Sequence, residues 1–217
     1  MYITKTPQFV QNLFPNFTWR IPTTDKVIYL TFDDGPVPEV TPWVLDELDK
    51  HDAKATFFCV GNNIVKHPAL FARLKEEGHE VGHHTFDHIN GWASDNIKYF
   101  HNVRRTASLM DSVLFRPPYG KLRPKQIQFL QRHYRIIMWD VLSGDFDQNL
   151  DPEDCYKNVI AKTKPGSIIV FHDSLKAEAT LKNVLPRFLN HFAMQGYTFK
   201  ALDSKVSSIK EKHKLSA

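Results

Sequence analysis

The segment Thr31-Phe32-Asp33-Asp34-Gly35-Pro36 decides how the rest of the chain is interpreted. It follows Val27-Ile28-Tyr29-Leu30, an apolar and partly β-branched run that predicts a buried strand. Successive strand side chains point to opposite faces, but a Gly-Pro turn can rotate Asp34 back toward Asp33. Two carboxylates at the carboxyl end of a strand can divide the work of binding a cation and moving a proton. By itself, the segment is equally consistent with a solvated turn.

The composition is that of an ordinary globular protein, with 217 residues, 42% hydrophobic and 24% charged. This length suits one domain with a sizeable core. The net charge is +4, and the basic residues are scattered apart from a C-terminal tail, so the sequence indicates no nucleic-acid partner. We find no leader pattern and no run of membrane-spanning length, which predicts a cytoplasmic protein, with the inner membrane face as a second location. The oligomeric state is not readable from these features.

The two cysteines are Cys59 and Cys155. Cys59 lies in an apolar run and is predicted to be a buried thiol. Their spacing is not that of metal ligands, and the sequence leaves a disulfide between them as an open possibility.

Short apolar runs alternate with helical patterns from Lys26 onward. The predicted strands cover residues 27–32, 56–60, 80–84, 113–115, 136–141, 167–172 and 197–202. Between them, apolar residues recur every three or four positions, and Gly78 and Gly196 stand where helices should stop. This alternation predicts an α/β fold with a parallel sheet or barrel, whose chemistry lies on the loops after the strands.

The first 25 residues form an N-terminal extension that is rich in large apolar side chains over residues 8–20. These side chains are Phe9, Val10, Leu13, Phe14, Phe17 and Trp19. Two interpretations stay open. The segment rests on a membrane surface as an amphipathic peripheral contact, or it packs its aromatic rings over the barrel. We therefore divide the chain into an extension (1–25), a single domain (26–203) and a basic tail (204–217).

Two histidines follow the third predicted strand, His84 and His88, four residues apart. On one helical turn, positions i and i+4 face the same way, so both imidazoles can meet one cation. With Asp34 they would form a two-histidine, one-carboxylate set with open positions for water and substrate. Strand alternation turns His83 away from this set, which predicts a hydrogen-bonded histidine rather than a fourth ligand.

The loop Arg116-Pro117-Pro118-Tyr119-Gly120 follows the fourth predicted strand. Its prolines make the backbone rigid. Arg116 could therefore bond a carboxylate such as Asp33, and the Tyr119 backbone N–H could face a developing oxyanion. A proline-rich turn with a surface arginine is the alternative for this loop.

His172 ends an apolar run, where an imidazole is costly without a partner. Asp145, after the fifth predicted strand, could orient it and raise its pKa, which would make His172 a general acid. A hydrogen-bonded core histidine is the alternative.

Across residues 26–203 the chain resembles the polysaccharide deacetylases of the NodB-homology type, carbohydrate esterase family 4. The similar motifs, in the family's order, are Thr31-Phe32-Asp33-Asp34-Gly35, His84-Thr85-Phe86-Asp87-His88, Arg116-Pro117-Pro118-Tyr119-Gly120, Asp145-Phe146 and Val170-Phe171-His172. The resemblance implies a distorted (β/α) barrel of seven or eight mostly parallel strands in a single domain. It also implies a hydrolase that removes the N-acetyl group from an amino sugar of a polysaccharide, oligosaccharide or glycolipid precursor.

The resemblance further implies a divalent metal, most often zinc, with cobalt, manganese, iron and nickel as alternatives. Asp34, His84 and His88 would be its ligands. Asp33 would be the catalytic base and His172 the acid.

Three more residues would support the reaction in the family. Arg116 would pair with Asp33, Asp145 would tune His172, and Tyr119 would contribute its backbone N–H at the substrate.

The chain departs from the family pattern at three positions. Phe146 and Val170 would line the acetyl pocket, where the family usually has Trp and Leu, and both keep an apolar wall. His83 stands where Asn is common.

Two other functions stay open at this point. One is a sugar-binding or metal-storing relative without activity, against which the presence of all five motifs argues. The other is a non-haem iron oxygenase with the same ligand set, in which Asp33 would be idle. The candidate substrates are a chitooligosaccharide, a nucleotide- or lipid-linked amino sugar, and a polymer precursor.

Overall fold

The computed structural model describes residues 3–204. Its strands are β1 (Val27–Asp33), β2 (Thr56–Cys59), β3 (Glu80–His83), β4 (Leu114–Phe115), β5 (Arg135–Ile136), β6 (Val141–Leu142), β7 (Ile168–His172) and β8 (Thr198–Phe199). Its helices are α1 (Gln8–Leu13), α2 (Thr41–Asp49), α3 (Gly61–Lys66), α4 (Pro68–Glu76), α5 (Asn96–Ala107), α6 (Pro124–Leu130), α7 (Pro152–Lys162) and α8 (Glu178–Ala193), with a 3-10 turn at Pro118–Gly120. Apart from residue 204, the predicted basic tail lies outside the described residues.

The strands form one sheet in the order β5-β4-β3-β2-β1-β7-β6, and β8 pairs with the start of β1. Every strand pairing in this sheet is parallel. β1 lies in the middle, where Asp33 is in register with Phe58 on β2 and with His172 on β7. The expected distorted (β/α) barrel of parallel strands is confirmed. The carboxyl ends of the strands share one edge, so the loops that follow them meet there.

Strand alternation separates the apolar core from the polar interior of the barrel. Phe32 stacks on Phe57 and Phe171, at ring-centre distances of 5.1 and 6.1 Å, and Phe188 of α8 packs against Phe171. These buried residues belong to the core between the sheet and its helices. Asp33 follows Phe32 and therefore points to the opposite face, into the barrel.

The predicted strand over residues 136–141 is wrong in its middle, because the structure divides it into β5 and β6. The N-terminal extension pairs with the intervening backbone. The Thr18 N–H donates to the Ile136 carbonyl at 2.9 Å, and the Met138 N–H donates to the Thr18 carbonyl at 2.8 Å. An apolar run predicts extended backbone, but it does not tell which segment supplies the hydrogen-bond partners.

The packing interpretation of residues 8–20 is confirmed for a part of that segment. Phe17 and Trp19 are buried against Phe115 and its neighbours, as the packing interpretation predicts. Phe9 and Leu13, on the short helix α1, are 67% and 69% exposed. The extension is thus attached to the barrel on both sides of α1, since the Thr6 N–H also donates to the Asp140 carbonyl and the Leu142 N–H to the Thr4 carbonyl.

Most predicted helix faces are buried. Gly78 and Gly196 follow α4 and α8 with φ of +77° and +78°, so both end helices as predicted. On α5, however, the apolar residue Ile97 is 84% exposed. That helix instead buries Tyr99, Asn102, Val103 and Thr106. Within residues 3–204, no helix is both long and apolar enough to span a bilayer.

Cys59 and Cys155 are both buried free thiols, so the prediction for Cys59 is confirmed and the two form no disulfide. Burial raises the pKa of both thiols. Neither side chain is therefore a reactive thiolate at neutral pH.

Candidate active site

Three candidate metal ligands lie together at the carboxyl edge of the sheet. Asp34 Oδ1 is 3.1 Å from His88 Nε2 and 3.7 Å from His84 Nε2, and the three ligand atoms lie within 4.8 Å of one another. Among the described residues, no donor makes a well-aligned hydrogen bond to this buried Asp34 oxygen. Two imidazoles and a carboxylate are donors that first-row divalent metals accept. These residues therefore fit a divalent metal ion.

The histidine pair is assembled by a bend, not by the helical turn that the spacing suggested. Thr85 and His88 have φ of +61° and +53°, outside the helical region. The side-chain oxygen of Asn102 on α5 accepts hydrogen bonds from the Phe86 and Asp87 N–H groups. The bend thus owes its shape to a helix that comes later in the chain, and the imidazole rings lie 5.0 Å apart.

The protonation states of the ligands suit a cation. Burial lowers the pKa of His84 to about 4, so its imidazole is neutral at pH 7. Its Nδ1–H donates to the Arg116 carbonyl at 2.8 Å, which directs the Nε2 lone pair toward Asp34. Burial by itself would raise the pKa of Asp34, but contact with His88 and nearby histidine charges hold that pKa below its ordinary value.

Asp33 is oriented by a fully buried arginine. Arg116 Nη1 donates to Asp33 Oδ1 and to Thr31 Oγ1, both at 2.7 Å. Its Nε donates to the Ile137 carbonyl at 3.2 Å, and its Nη2 donates to the Met138 carbonyl at 3.0 Å. A buried guanidinium is tolerated only when its donors are satisfied in this way.

The second oxygen of Asp33 faces the metal-ligand cluster. Asp33 Oδ2 lies 4.0 Å from His84 Nε2, while Oδ1 is occupied by Arg116. The two adjacent carboxylates therefore have different partners. Asp34 lies against His84 and His88, whereas Asp33 has one oxygen free to face them.

His172 is held by Asp145 through two hydrogen bonds. The His172 Nδ1–H donates to Asp145 Oδ1 and the His172 backbone N–H donates to Asp145 Oδ2, both at 2.8 Å. The Ser143 hydroxyl also donates to Asp145 Oδ1 at 2.9 Å. Burial alone would lower the pKa of His172, but the charge and hydrogen bond of Asp145, with the charges of Asp34 and Asp33, raise it to about 9. The imidazole is therefore protonated at pH 7.

The remaining predicted residues surround these clusters. Tyr119 has φ of +60° in the 3-10 turn, and its ring centre lies 4.8 Å from that of His88. The Phe146 ring meets the His172 ring edge-on at 5.0 Å. Val170 is buried on β7, two residues before His172 and therefore on the same face.

His83 is a hydrogen-bonded histidine, as predicted, and lies apart from the metal-ligand cluster. Its Nε2 is 2.8 Å from the Ser112 carbonyl, and its ring packs edge-on against Tyr134. Burial lowers the pKa of His83 to about 4. Its side chain supports the β3–β4 region on the other face from His84.

Asp173 is a site residue that the sequence analysis missed. This fully buried carboxyl accepts a hydrogen bond from the Gly35 N–H at 3.0 Å and one from the Thr41 hydroxyl at 2.6 Å. A Cβ atom at Gly35 would lie 1.9 Å from the Asp173 Oδ2 atom, so the turn that carries Asp34 rests directly on Asp173. Burial, together with the charge of Asp34, raises the pKa of Asp173 to about 8. The sequence feature that could have indicated Asp173 is its position directly after His172, at the end of a predicted strand.

We expect Asp173→Ala to destabilise the fold by about 1–3 kcal/mol, because it leaves the Gly35 N–H and the Thr41 hydroxyl buried without a partner. Asp173→Asn retains an acceptor for Gly35 and a polar partner for Thr41, and it should stay near wild-type stability. Denaturant unfolding of both variants measures the difference. Equal stability of the alanine variant and the wild type would contradict the bracing role.

Comparison with known proteins agrees with this geometry. The family model described as polysaccharide deacetylase matches residues 20–134. A peptidoglycan-N-acetylglucosamine deacetylase of Bacillus cereus is 31% identical over 189 residues, which cover 84% of this chain and 89% of that protein. The peptidoglycan-N-acetylmuramic acid deacetylase PdaA of Bacillus subtilis is 31% identical over 191 residues, which cover 83% and 72%.

A solved structure is similar as well. The Bc1960 peptidoglycan N-acetylglucosamine deacetylase superimposes with a TM-score of 0.80 at 29% identity, over 86% of this chain and 91% of that one. The resemblance seen in the motifs is thereby confirmed. The chain belongs to the polysaccharide deacetylase family of the NodB-homology type, whose members are typically metal-dependent deacetylases.

Proposed function

We propose that this protein removes acetyl groups from N-acetylglucosamine residues of a peptidoglycan-type glycan or its precursor. The observation that carries the proposal is the convergence of a cation-binding set, an arginine-held carboxylate and a protonated histidine at one edge of the sheet. The names of the Bacillus cereus relatives support N-acetylglucosamine as the sugar. N-acetylmuramic acid is the alternative sugar, since the relative PdaA is a peptidoglycan-N-acetylmuramic acid deacetylase.

Asp34, His84 and His88 would hold the metal, and we favour zinc because it accepts two imidazoles and a carboxylate with a position left open. Cobalt, manganese, iron and nickel bind similar donors. When bound, the ion would polarise the acetyl carbonyl as a Lewis acid and lower the pKa of water at the site.

Asp33 is the proposed base. Arg116 occupies its Oδ1 and balances its charge, so Oδ2 remains to accept the proton of the attacking water. As water adds to the carbonyl carbon, negative charge develops on the carbonyl oxygen. The Tyr119 N–H is the proposed hydrogen-bond donor to that oxygen, and such a donor is worth about 2.7–4 kcal/mol in comparable sites.

His172 is the proposed acid. Asp145 occupies its Nδ1, so Nε2 carries the proton that can be donated. When the C–N bond breaks, that proton goes to the departing nitrogen, and the products are acetate and a free amine. Phe146 and Val170 would form the apolar wall against the acetyl methyl group, where one methylene of misfit costs about 1–3 kcal/mol.

The central test is acetate release from N-acetylated chitooligosaccharides and peptidoglycan glycan by metal-free protein reconstituted with zinc, cobalt, manganese, iron or nickel. We expect the wild type to release acetate. Asp33→Asn should keep the metal and lose about 10²- to 10⁴-fold in rate, because the proton acceptor is gone.

Asp154→Asn is the matched control, since this exposed carboxylate lies on α7, outside the site. It should retain full activity. Undiminished turnover by metal-loaded Asp33→Asn would contradict the hydrolase assignment. A metal-storing relative would bind the ion without releasing acetate, and an oxygenase would consume dioxygen.

The pKa of His172 predicts an alkaline limit to activity. The protonated imidazole donates the proton, so kcat/KM should fall as the pH rises through the pKa of His172, which Asp145 raises above its ordinary value. Asp145→Asn removes the negative charge that raises this pKa, and the alkaline limb should therefore move to lower pH.

A kcat/KM profile over pH 6–10 measures the shift in the alkaline limb. Asp147→Asn is the control, because it removes the same charge two residues along without losing a contact to His172. An unchanged alkaline limb in Asp145→Asn would remove His172 from the role of acid.

A peripheral membrane contact through residues 8–20 is part of the proposal, together with the predicted location at the inner membrane face. Phe9, Leu13 and Phe14 support it, because they remain exposed at the start of the segment. We expect wild-type protein to sediment with anionic phospholipid vesicles and the double variant Phe9→Ser/Leu13→Ser to stay in solution. Ile97→Ser, which changes an equally exposed residue on α5, is the control. Wild-type protein in the supernatant would contradict the contact.

A further inference from the structure

Two large aromatic rings are exposed on neighbouring loops at the active-site end of the sheet. Trp92, between β3 and α5, is 60% exposed, and Tyr119, after β4, is 59% exposed. An indole held at the surface offers a large, flat apolar face on which a ligand can pack. The proposed reaction gives Trp92 no role.

Trp92 is fixed in its exposed position by hydrogen bonds on three sides. Its Nε1–H donates to the Leu122 carbonyl at 3.0 Å, and its backbone N–H donates to Asn90 Oδ1 at 2.9 Å. Its carbonyl accepts from Arg123 Nη2 at 2.7 Å. The ring can therefore bind a ligand with little loss of conformational entropy.

The surface beneath the ring is packed and leaves no room for the ring to fold inward. Gln126 of α6 is fully buried, and its amide donates to the Gly91 carbonyl at 3.1 Å while it accepts from the Arg123 N–H at 2.9 Å. A Cβ atom at Gly91 would lie 2.3 Å from the Lys121 carbonyl oxygen. The two loops are thus in direct contact just below Trp92.

Contacts between the same two loops place Trp92 at the rim of the catalytic site. Tyr119 contacts His88, and Lys121, two residues later, has its ammonium 5.2 Å from the Trp92 ring centre. Two residues of extended chain span about 7 Å between Cα atoms, so the backbone of Lys121 lies within that distance of Tyr119, and its side chain reaches from there to the indole. A glycan chain that extends from the catalytic site along this loop can reach the indole with one of its other sugars.

We propose that Trp92 and Lys121 form a glycan subsite for a pyranose residue on the same chain as the residue that loses its acetyl group. This inference rests on the proposed function. The apolar face of the pyranose would lie against the indole, and the Lys121 ammonium would donate to the oxygen substituents of that sugar. The subsite makes the enzyme favour long chains over short ones.

A tryptophan that only braces the loop would form the same Nε1 hydrogen bond. The bracing role and the sugar-binding role differ in how kcat/KM depends on the length of the oligosaccharide. Steady-state acetate release from β-linked N-acetylglucosamine oligomers of one to five residues separates them. For the wild type, kcat/KM rises with length until the subsite is filled. In Trp92→Ala, the increase in kcat/KM that comes from filling the subsite should be absent. We expect a roughly 10-fold rise in KM for the pentamer with little change in kcat.

Trp92→Phe keeps a ring and loses the N–H, so it should recover most of the length dependence, whereas a bracing role predicts that it fails like Trp92→Ala. Met194→Ala, which shortens a 90% exposed apolar side chain after α8, is the control and should match the wild type on every oligomer. Lys121→Ala tests the subsite if the tryptophan variants do not fold, and it should also raise the KM for the pentamer. A loss by the same factor at every length would overturn the proposal.

Binding without turnover distinguishes failure of the subsite from failure of the proposed reaction. Calorimetric titration of the pentamer into the Asp33→Asn protein, with and without Trp92→Ala, needs no acetate release. A roughly 10-fold weaker Kd in the double variant supports the subsite even if the wild type releases no acetate. An equal Kd overturns the subsite even if the wild type is an active deacetylase.

Discussion

The ion pair between Arg116 and Asp33 is the interaction on which the rest of the site depends. A guanidinium with no solvent exposure must have its donors satisfied within the protein, and here they reach β1 and the segment after β5. The carbonyl of the same arginine accepts the Nδ1–H of His84. One buried residue after β4 therefore sets the orientation of a carboxylate on β1 and of the candidate metal-binding imidazole of His84 after β3.

Electrostatics then give similar groups opposite states. Asp33 and Asp34 are adjacent, but one pairs with a permanent cation and the other with imidazoles. His84 is buried and His172 is partly buried, yet the pKa of His84 falls to about 4 while that of His172 rises to about 9. Desolvation prevails at His84, and Asp145 outweighs desolvation at His172. A neutral imidazole and a charged imidazole thus coexist within one site at pH 7.

Much of this arrangement could be predicted from the sequence, because strand alternation and the carboxyl-edge rule place candidate residues on one edge of a parallel sheet. Asp34, His84 and Asp145 were identified by their positions after apolar runs and by resemblance to a known family. The shape of the His84–His88 bend could not be predicted, since Asn102 of α5 supplies its hydrogen bonds. The break after Ile136 could not be predicted for the same reason, because the backbone there forms hydrogen bonds with Thr18, which is far away in the sequence.

By itself, the sequence determined the parallel α/β architecture and the types of residue that could bind a cation and move protons, since these follow from local periodicity and from side-chain chemistry. Only the tertiary structure decided that Asp173 supports the turn of Asp34, and that Trp92 stands exposed beside Lys121. Both depend on packing between loops that are 30 or more residues apart along the chain. A local sequence pattern cannot indicate a contact partner so far away in the sequence, because the folded backbone determines which segments come together.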